Sequence, residues 1–459
     1  VNPTGTGRRV VVVGGGISGL AAAYALHQAL PDATVTVVEE SGRLGGKLLT
    51  GELGGATVEA GADNWLARVP EATALAAAVG LAGELVSPDT GQAWVRIGGR
   101  LRALPTGTVR GVPGALGPLA RSRVLSPGGL LRAAVEPWLP GAPLAEPATV
   151  GEVVRHRLGA QVTDRLVEPL LGGVYAGRAD DLDIDAAAPD LAALARENKS
   201  LRRAVAGRPP AAEGPVFQTV RQGLTSYVTA IARASGAEVL TGTRAATVER
   251  LSGAFRVTLA GGRAIVADGV VVAAPAKSAA RLLELAVPAV AAPLRGIDYA
   301  SVALVGLAYP LDKLSRPPGS GVLVPPGHGI VKAVTFYDQK WPHAAPAGTA
   351  LLRASVGRYG DPPIDLDDDE LARAVAHDLR PLLRLPKRPV DAFVARWDDA
   401  LPQYALGHLD VVERIEHAVH AVPGLAVAGA AYRGVGIAAC VRSGTAAAAR
   451  VAAHVRTRG

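Results

Sequence analysis

The sequence predicts an α/β fold in three parts: a Rossmann-type nucleotide-binding domain, a mixed-sheet second domain and a helical insertion. Three patterns predict it. Residues 9–13 are a continuous, β-branched run, glycines follow, and an Ala-rich helical stretch at 17–30 leads to a second β-branched run at 34–39. A continuous apolar run suits a strand buried on both faces, so this is a βαβ unit. Strand patterns at 301–309, 321–324, 333–337 and 350–356 predict a second sheet. Between the two, Pro and Gly punctuate short helical patterns at 149–158, 160–171 and 190–206, as expected of a mainly helical insertion.

The remaining elements follow in order. Pro31-Asp32 break the first helix, and a hairpin is expected over 93–104 around Gly98-Gly99. Strands return at 238–241, 246–252, 255–259 and 269–274, the last ending at Pro275. A helix is expected over 368–383, a late strand at 425–428 and a final Ala-rich helix at 438–455. The nucleotide motif opens the chain and a strand–Gly–helix closes it, so the first domain is expected to be discontinuous. The expected division is residues 1–92 plus 216–295 plus 405–459, then 93–105 plus 296–404 for the substrate domain, with 106–215 as the insertion.

Composition bounds the function. A chain of 459 residues with 49% hydrophobic and 19% charged residues has an ordinary large core. The net charge of +7 suits anionic substrates, whereas aromatics at 4% with no interleaved basic run argue against nucleic acid. The single cysteine, Cys440, forbids an internal disulfide and fits a reducing cytoplasm. Nine scattered histidines show no ligand spacing, so no metal site is expected. Arg8-Arg9 before an apolar run resembles an export signal, but glycines at functional spacing explain that run better. No other apolar stretch reaches spanning length, so membrane contact is expected to be peripheral at most.

The first motif is Gly14-Gly15-Gly16-Ile17-Ser18-Gly19, a GxGxxG directly after a strand and opening a helix. Glycines let backbone N–H groups approach a pyrophosphate, and the helix N-terminus adds partial positive charge. Glu39 ends the next strand, where a ribose-binding acid belongs, with Glu40 beside it. This much allows NAD or FAD. Ser41 to Lys47 then carries a second glycine pair, Gly45-Gly46, immediately past the acid, which an NAD-only domain has no reason to keep. The stretch resembles the E-x₃-R-x-G-G-[RK] segment of amine-oxidase-like flavoproteins, and the resemblance implies FAD. Near the C-terminus, 425–437 gives strand, Gly429, loop and helix start, and a helix N-terminus there would stabilise negative charge on a reduced flavin.

A narrower resemblance covers nearly the whole chain. Residues 168–177 (Glu-Pro-Leu-Leu-Gly-Gly-Val-Tyr-Ala-Gly), Gln222-Gly223-Leu224, Trp397 with 401–404 (Leu-Pro-Gln-Tyr) and 434–437 (Gly-Val-Gly-Ile) resemble the protoporphyrinogen/coproporphyrinogen oxidase family, its soluble Gram-positive type most closely. It implies that Gly14 to Gly19, Glu39, Glu40, Arg43, Leu44, Gly45, Gly46, Lys47 and the loop Gly61-Ala62-Asp63-Asn64 hold FAD, with Arg43 near the phosphates. It further implies that the Val248 backbone reads the adenine, and that Trp397, Gly429, Val435, Gly436 and Ile437 contact the flavin. One departure is Arg178, where the family usually has an acidic residue.

The resemblance implies oxidation of coproporphyrinogen III to coproporphyrin III in haem biosynthesis, using O₂ and releasing H₂O₂. Protoporphyrinogen IX is the alternative substrate, and an amine oxidase, a carotenoid desaturase or a non-catalytic flavin protein are rival readings. Other haem-pathway enzymes are expected as transient contacts. Six electrons leave the macrocycle in two-electron steps to the flavin, so orientation supplies the catalysis and no catalytic side chain is named. Candidate partners for the propionates are Arg68, Arg178 and Arg433, with Lys340 behind them and Tyr175 at the border. Cys440, in an apolar helix start, is read as a buried structural thiol rather than a covalent flavin anchor. Residues 129–140, with Arg132 and Trp138, read as a lid over the substrate channel or a membrane-resting face.

Overall fold

The computed structural model describes residues 7–139, 146–209 and 214–457. The opening βαβ unit forms the centre of a five-stranded parallel sheet. Its order is Glu238–Leu240, Thr34–Val38, Arg9–Val13, Gly269–Val272, Leu425–Val427, so strands from three distant parts of the chain meet there. Val10, Val11 and Val12 are fully buried because both faces are covered. Each such side chain contributes roughly 1.5–3 kcal/mol relative to exposure.

One face of this sheet is covered by the first helix, Ile17–Ala29, and the C-terminal helix, Ile437–Arg456. Ala22, Ala23, Leu26, Ala447, Ala448 and Val451 share one buried cluster. Small residues bring the two axes close: a Cβ on Gly444 would strike the carbonyl oxygen of Ser18. Gly19 is equally constrained, since a Cβ there would strike the carbonyl oxygen of Gly14. A three-stranded antiparallel meander, Ala245–Arg250, Phe255–Leu259 and Ala264–Ala267, joins the other face through Val248, Val257 and Ile265.

The second sheet has seven strands and is mixed. Its order is Asp391–Pro402, Tyr299–Pro310, Thr349–Val356, Val331–Phe336, Gly321–Leu323, Ala93–Ile97, Arg100–Ala103. The hairpin expected over 93–104 is its far edge, with Gly98 at φ 54° and Gly99 at φ 74° in the turn. Helix Asp368–Leu383 covers one face, opened by a capping box between Asp367 and Glu370. Val305, Leu307, Tyr309, Phe336 and Leu352 bury against Leu371, Val375 and Leu379. Alternation along the strands turns Leu304, Arg353 and Trp397 to the opposite face, where Arg353 and Trp397 reach the backbone of residues 59–61.

The insertion is helical but departs from the expected pattern twice. A single helix over 190–206 is two, Pro189–Glu197 and Leu201–Ala206. Asn198 is extended, and the Ser200 side chain accepts from the Arg203 N–H to start a new helix. That N-terminus satisfies a buried carboxylate: Glu136 accepts from Ser200 Oγ at 2.6 Å and from Leu201 N–H at 2.7 Å. The helix expected over 160–171 runs on to Tyr175 through a π-helical turn at Thr163–Val167. Pro169 has no N–H to return to the preceding turn, which accounts for the widened register. Of residues 129–140, Pro140 lies outside the described residues.

Candidate active site

The glycine turn is built as the motif requires. Gly14 takes φ 107° and its N–H donates to Val38 O at 2.8 Å, which turns the chain sharply off the strand. Glu39 is fixed beside it, accepting from Gly15 N–H at 2.7 Å and Ser41 N–H at 2.8 Å. Gly16 is the N-cap of the first helix, with no side chain capping it and open space where a Cβ would stand. The second glycine loop lies directly against the first: Gly45 N–H donates to Gly15 O at 2.8 Å. Arg43 spends its guanidinium on carbonyls of its own loop, Leu44 and Leu48 at 3.2 Å and Gly46 at 2.7 Å, while standing over the Trp397 ring. Leu44 packs under Gly15, and Glu40 is exposed.

A second wall is the loop over residues 59–64. Ala62 N–H donates to Lys47 O at 3.1 Å, so this loop packs on the glycine pair. Two side chains from the second sheet, and one from the short helix Tyr337–Lys340 that follows its strand Val331–Phe336, hold it. Arg353 donates to the carbonyls of Glu59 at 3.0 Å and Gly61 at 2.9 Å, Trp397 Nε1 donates to Ala60 O at 2.8 Å, and Lys340 pairs with Asp63 at 2.7 Å. Asp63 is half-buried; burial pushes its carboxyl up, but the charges of Arg353 and Lys340 outweigh this and hold it well below the usual range. Asn64 Nδ2 donates to Asp63 Oδ1 at 2.7 Å. Burial lowers the Lys47 ammonium, which stands over the Tyr299 ring.

The third wall is the C-terminal loop. Gly429 takes φ 133° and its N–H is held by Ser443 Oγ at 3.1 Å. Gly436 is the N-cap of the last helix, again without a side-chain cap. Ile17, Leu48, Ile437 and Cys440 share a cluster that Ala62 packs against, so the three loops converge. Gly16, Gly429 and Gly436 each border open space, and two long helices present uncapped N-termini. Such a cradle fits an extended dinucleotide with a negatively charged middle. Cys440 is buried and burial raises its thiol, whose Sγ lies 3.9 Å from Val435 O. Val248 lies on the edge strand of the meander, fully buried.

The candidate propionate partners are dispersed. Arg68 is exposed. Arg178 pairs with Asp361 at 2.7 Å, and Arg433 grips Glu416 with contacts at 2.7 and 3.0 Å. Lys340 is committed to Asp63. Tyr175 is buried, its hydroxyl donating to Ala187 O at 3.3 Å. A cleft of about 320 Å³, lined by Tyr299, Arg358, Tyr359 and Arg396 among others, touches none of the glycine loops. Sequence reasoning missed Arg353 and Glu59. The signal for Arg353 was available, since an arginine inside the apolar run 350–356 must face something polar.

Two interlocked glycine loops and a pair of uncapped helix N-termini suit the dinucleotide of a flavin-dependent oxidoreductase. The profile of the flavin containing amine oxidoreductase family matches residues 17–452. The chain is similar to coproporphyrinogen III oxidase of Bacillus subtilis (strain 168), 34% identical, covering 96% of this chain and 97% of that protein. It is 39% identical to the protein of that name from Mycobacterium tuberculosis (strain ATCC 25618 / H37Rv), with 95% of each chain covered. A crystal structure from Exiguobacterium sp. 255-15, provisionally named a protoporphyrinogen oxidase, superposes with a TM-score of 0.87 at 32% identity, covering 97% of this chain and 99% of that one. The chain belongs to the flavin containing amine oxidoreductases and, within them, to the coproporphyrinogen III oxidase family. Among the described residues no helix is long and apolar enough to cross a membrane.

Proposed function

We propose that this protein oxidises coproporphyrinogen III to coproporphyrin III, with FAD as its flavin and O₂ as the terminal acceptor, releasing H₂O₂. The observation that carries the reading is the similarity, over nearly the full chain, to curated coproporphyrinogen III oxidases of separate genera. The bound flavin supplies hydride acceptance from the macrocycle and reoxidation by oxygen. The chain supplies orientation. Gly14 to Gly19 and the first helix N-terminus would take the pyrophosphate, Glu39 a ribose, and the Val248 backbone the adenine. Gly45 to Lys47, the Gly61–Asp63 loop, Trp397 and Val435 to Ile437 would border the flavin ring, with the last helix N-terminus favouring negative charge on it. The flavin domain is read as discontinuous, 1–92 plus 216–295 plus 405–459, against a substrate domain of 93–105 plus 296–404 and the insertion 106–215.

Substrate would enter between the insertion and the inner face of the second sheet. Helix Glu168–Tyr175 packs against strands Gly321–Leu323 and Val331–Phe336, and Val174 on it is 47% exposed. Leu323, Ala333, Thr335 and Ser355 are half-buried on the sheet. Protoporphyrinogen IX is the second reading, favoured by 30% identity to a chloroplastic protoporphyrinogen oxidase of Arabidopsis thaliana. Rates of product fluorescence from the two porphyrinogens separate them: coproporphyrinogen III is expected to be the faster, and equal or reversed rates overturn the assignment.

A further inference from the structure

Residues 403–408 connect the substrate-facing insertion to the loop before the last helix. Tyr404 is 1% exposed, and its hydroxyl donates to Ala430 O at 2.7 Å while accepting from Gly434 N–H at 2.7 Å. One phenol therefore closes both ends of the turn 430–434, in which Gly434 takes φ 132°. His408 stacks on the Tyr404 ring, with centroids 4.0 Å apart and planes at 15°, and its Nε2 lies 3.0 Å from Tyr432 O. A carbonyl only accepts, so Nε2 carries the proton and donates to it. Burial lowers the His408 pKa and raises that of Tyr404, keeping both rings neutral.

The other end of the segment grips the insertion. Gln403 Nε2 donates to Tyr175 O at 2.8 Å, at the last residue of helix Glu168–Tyr175. Asp183 N–H donates to Tyr404 O at 2.8 Å, and Asp183 Oδ2 accepts from Gly407 N–H at 2.8 Å. The Tyr175 ring packs on Tyr404 with centroids 5.5 Å apart. The segment is thus bonded at one side to the turn two residues before the Gly436 N-cap, and at the other to the helix that covers the substrate face.

We propose that Tyr404 and His408 are positioning residues for the flavin: they fix the 430–434 turn, and hence the N-terminus of the last helix, in register with the insertion through Gln403. This rests on the flavin reading above. Neither side chain touches a reacting atom; each acts by holding N–H and C=O groups of the turn in place.

The test is Tyr404→Phe, which keeps the ring and removes both bonds. FAD titrated into apoprotein should bind about tenfold more weakly, and the bound flavin should show a shifted absorption envelope and a changed reduction potential. The porphyrinogen KM should stay near that of the wild type. Wild-type FAD affinity, spectrum and potential in the variant would overturn the proposal, even if its melting temperature falls. Should Tyr404→Phe not fold, His408→Leu and His408→Gln decide, because only glutamine can still donate to Tyr432 O. His408→Gln is expected to hold FAD more tightly than His408→Leu, and equal affinities would overturn the proposal. A wild-type protein that takes up no FAD would instead sink the flavin reading itself.

Discussion

Arg353→Met removes a guanidinium that ties the second sheet to the 59–63 loop at the candidate flavin site. Its donors reach Glu59 O at 3.0 Å, Gly61 O at 2.9 Å and Asp63 Oδ1 at 3.4 Å, with the two side chains 11% and 13% exposed. Hydrogen bonds from a charged donor contribute roughly 1.5–3 kcal/mol each, and breaking a buried pair costs about 3–5 kcal/mol. Asp63 keeps Lys340 at 2.7 Å, so the carboxylate is not abandoned and the low end applies, about 3 kcal/mol. Against a total stability of roughly 5–15 kcal/mol this is a large fraction. Urea denaturation of the apoprotein should show the lower midpoint with an unchanged slope, and FAD titration should show weaker binding because the freed loop carries Gly61 to Asp63. Arg353→Lys should recover part of both. A methionine variant within about 0.5 kcal/mol of the wild type, with unaltered FAD affinity, would refute the reasoning.

Three further outcomes are expected. Burial pushes the Glu59 carboxyl up to about 7, despite hydrogen bonds from Leu224 N–H and Thr50 and the facing charge of Arg353; Asp63 and Tyr337 also face it. The neutral acid is favoured in the fold, so this contribution is complete below the unfolded value of about 4.3 and is lost as pH rises through about 7. Denaturation midpoints of Glu59→Gln and wild type should diverge in favour of the variant across that window, and parallel curves would contradict the assignment. Gly444→Ala would drive a Cβ into Ser18 O, with Ala22 N 3.2 Å away, and should cost about 1–3 kcal/mol while weakening FAD binding at the first helix turn. A wild-type melting temperature would contradict it. Cys440 should resist thiol reagents until unfolding, and Cys440→Ala should still release its flavin on acid precipitation; flavin retained by the wild-type chain alone would show a covalent link.

The candidate flavin cradle was legible because a dinucleotide site needs local residue types in fixed order. Gly14 to Gly19, Glu39 and Gly45-Gly46 follow one another within a short stretch of chain, and the structure joins them through Gly45 N–H to Gly15 O and Gly15 N–H to the Glu39 carboxylate. The α/β class was legible for the same reason, since buried parallel strands read as unbroken Val runs. The edge strand Asp391–Pro402 was not, because an exposed strand carrying Asp391, Arg396, Asp398 and Asp399 has no apolar alternation to betray it. The break at 198–200 depended on Glu136, a buried acid sixty-four residues away from Ser200. Substrate contacts were least legible: an arginine in a sequence does not reveal whether a carboxylate of its own chain already holds it, as Glu416 holds Arg433.

If the three converging loops hold a flavin that oxidises a porphyrinogen, substrate must reduce that flavin before oxygen does its part. The most direct measurement is anaerobic mixing of the FAD-loaded protein with coproporphyrinogen III, followed by admission of oxygen. The porphyrinogen should bleach the flavin band, and oxygen should then restore it, with peroxide and coproporphyrin fluorescence appearing together. A flavin that stays oxidised beside coproporphyrinogen III while an amine bleaches it would mark the protein as an amine oxidase instead.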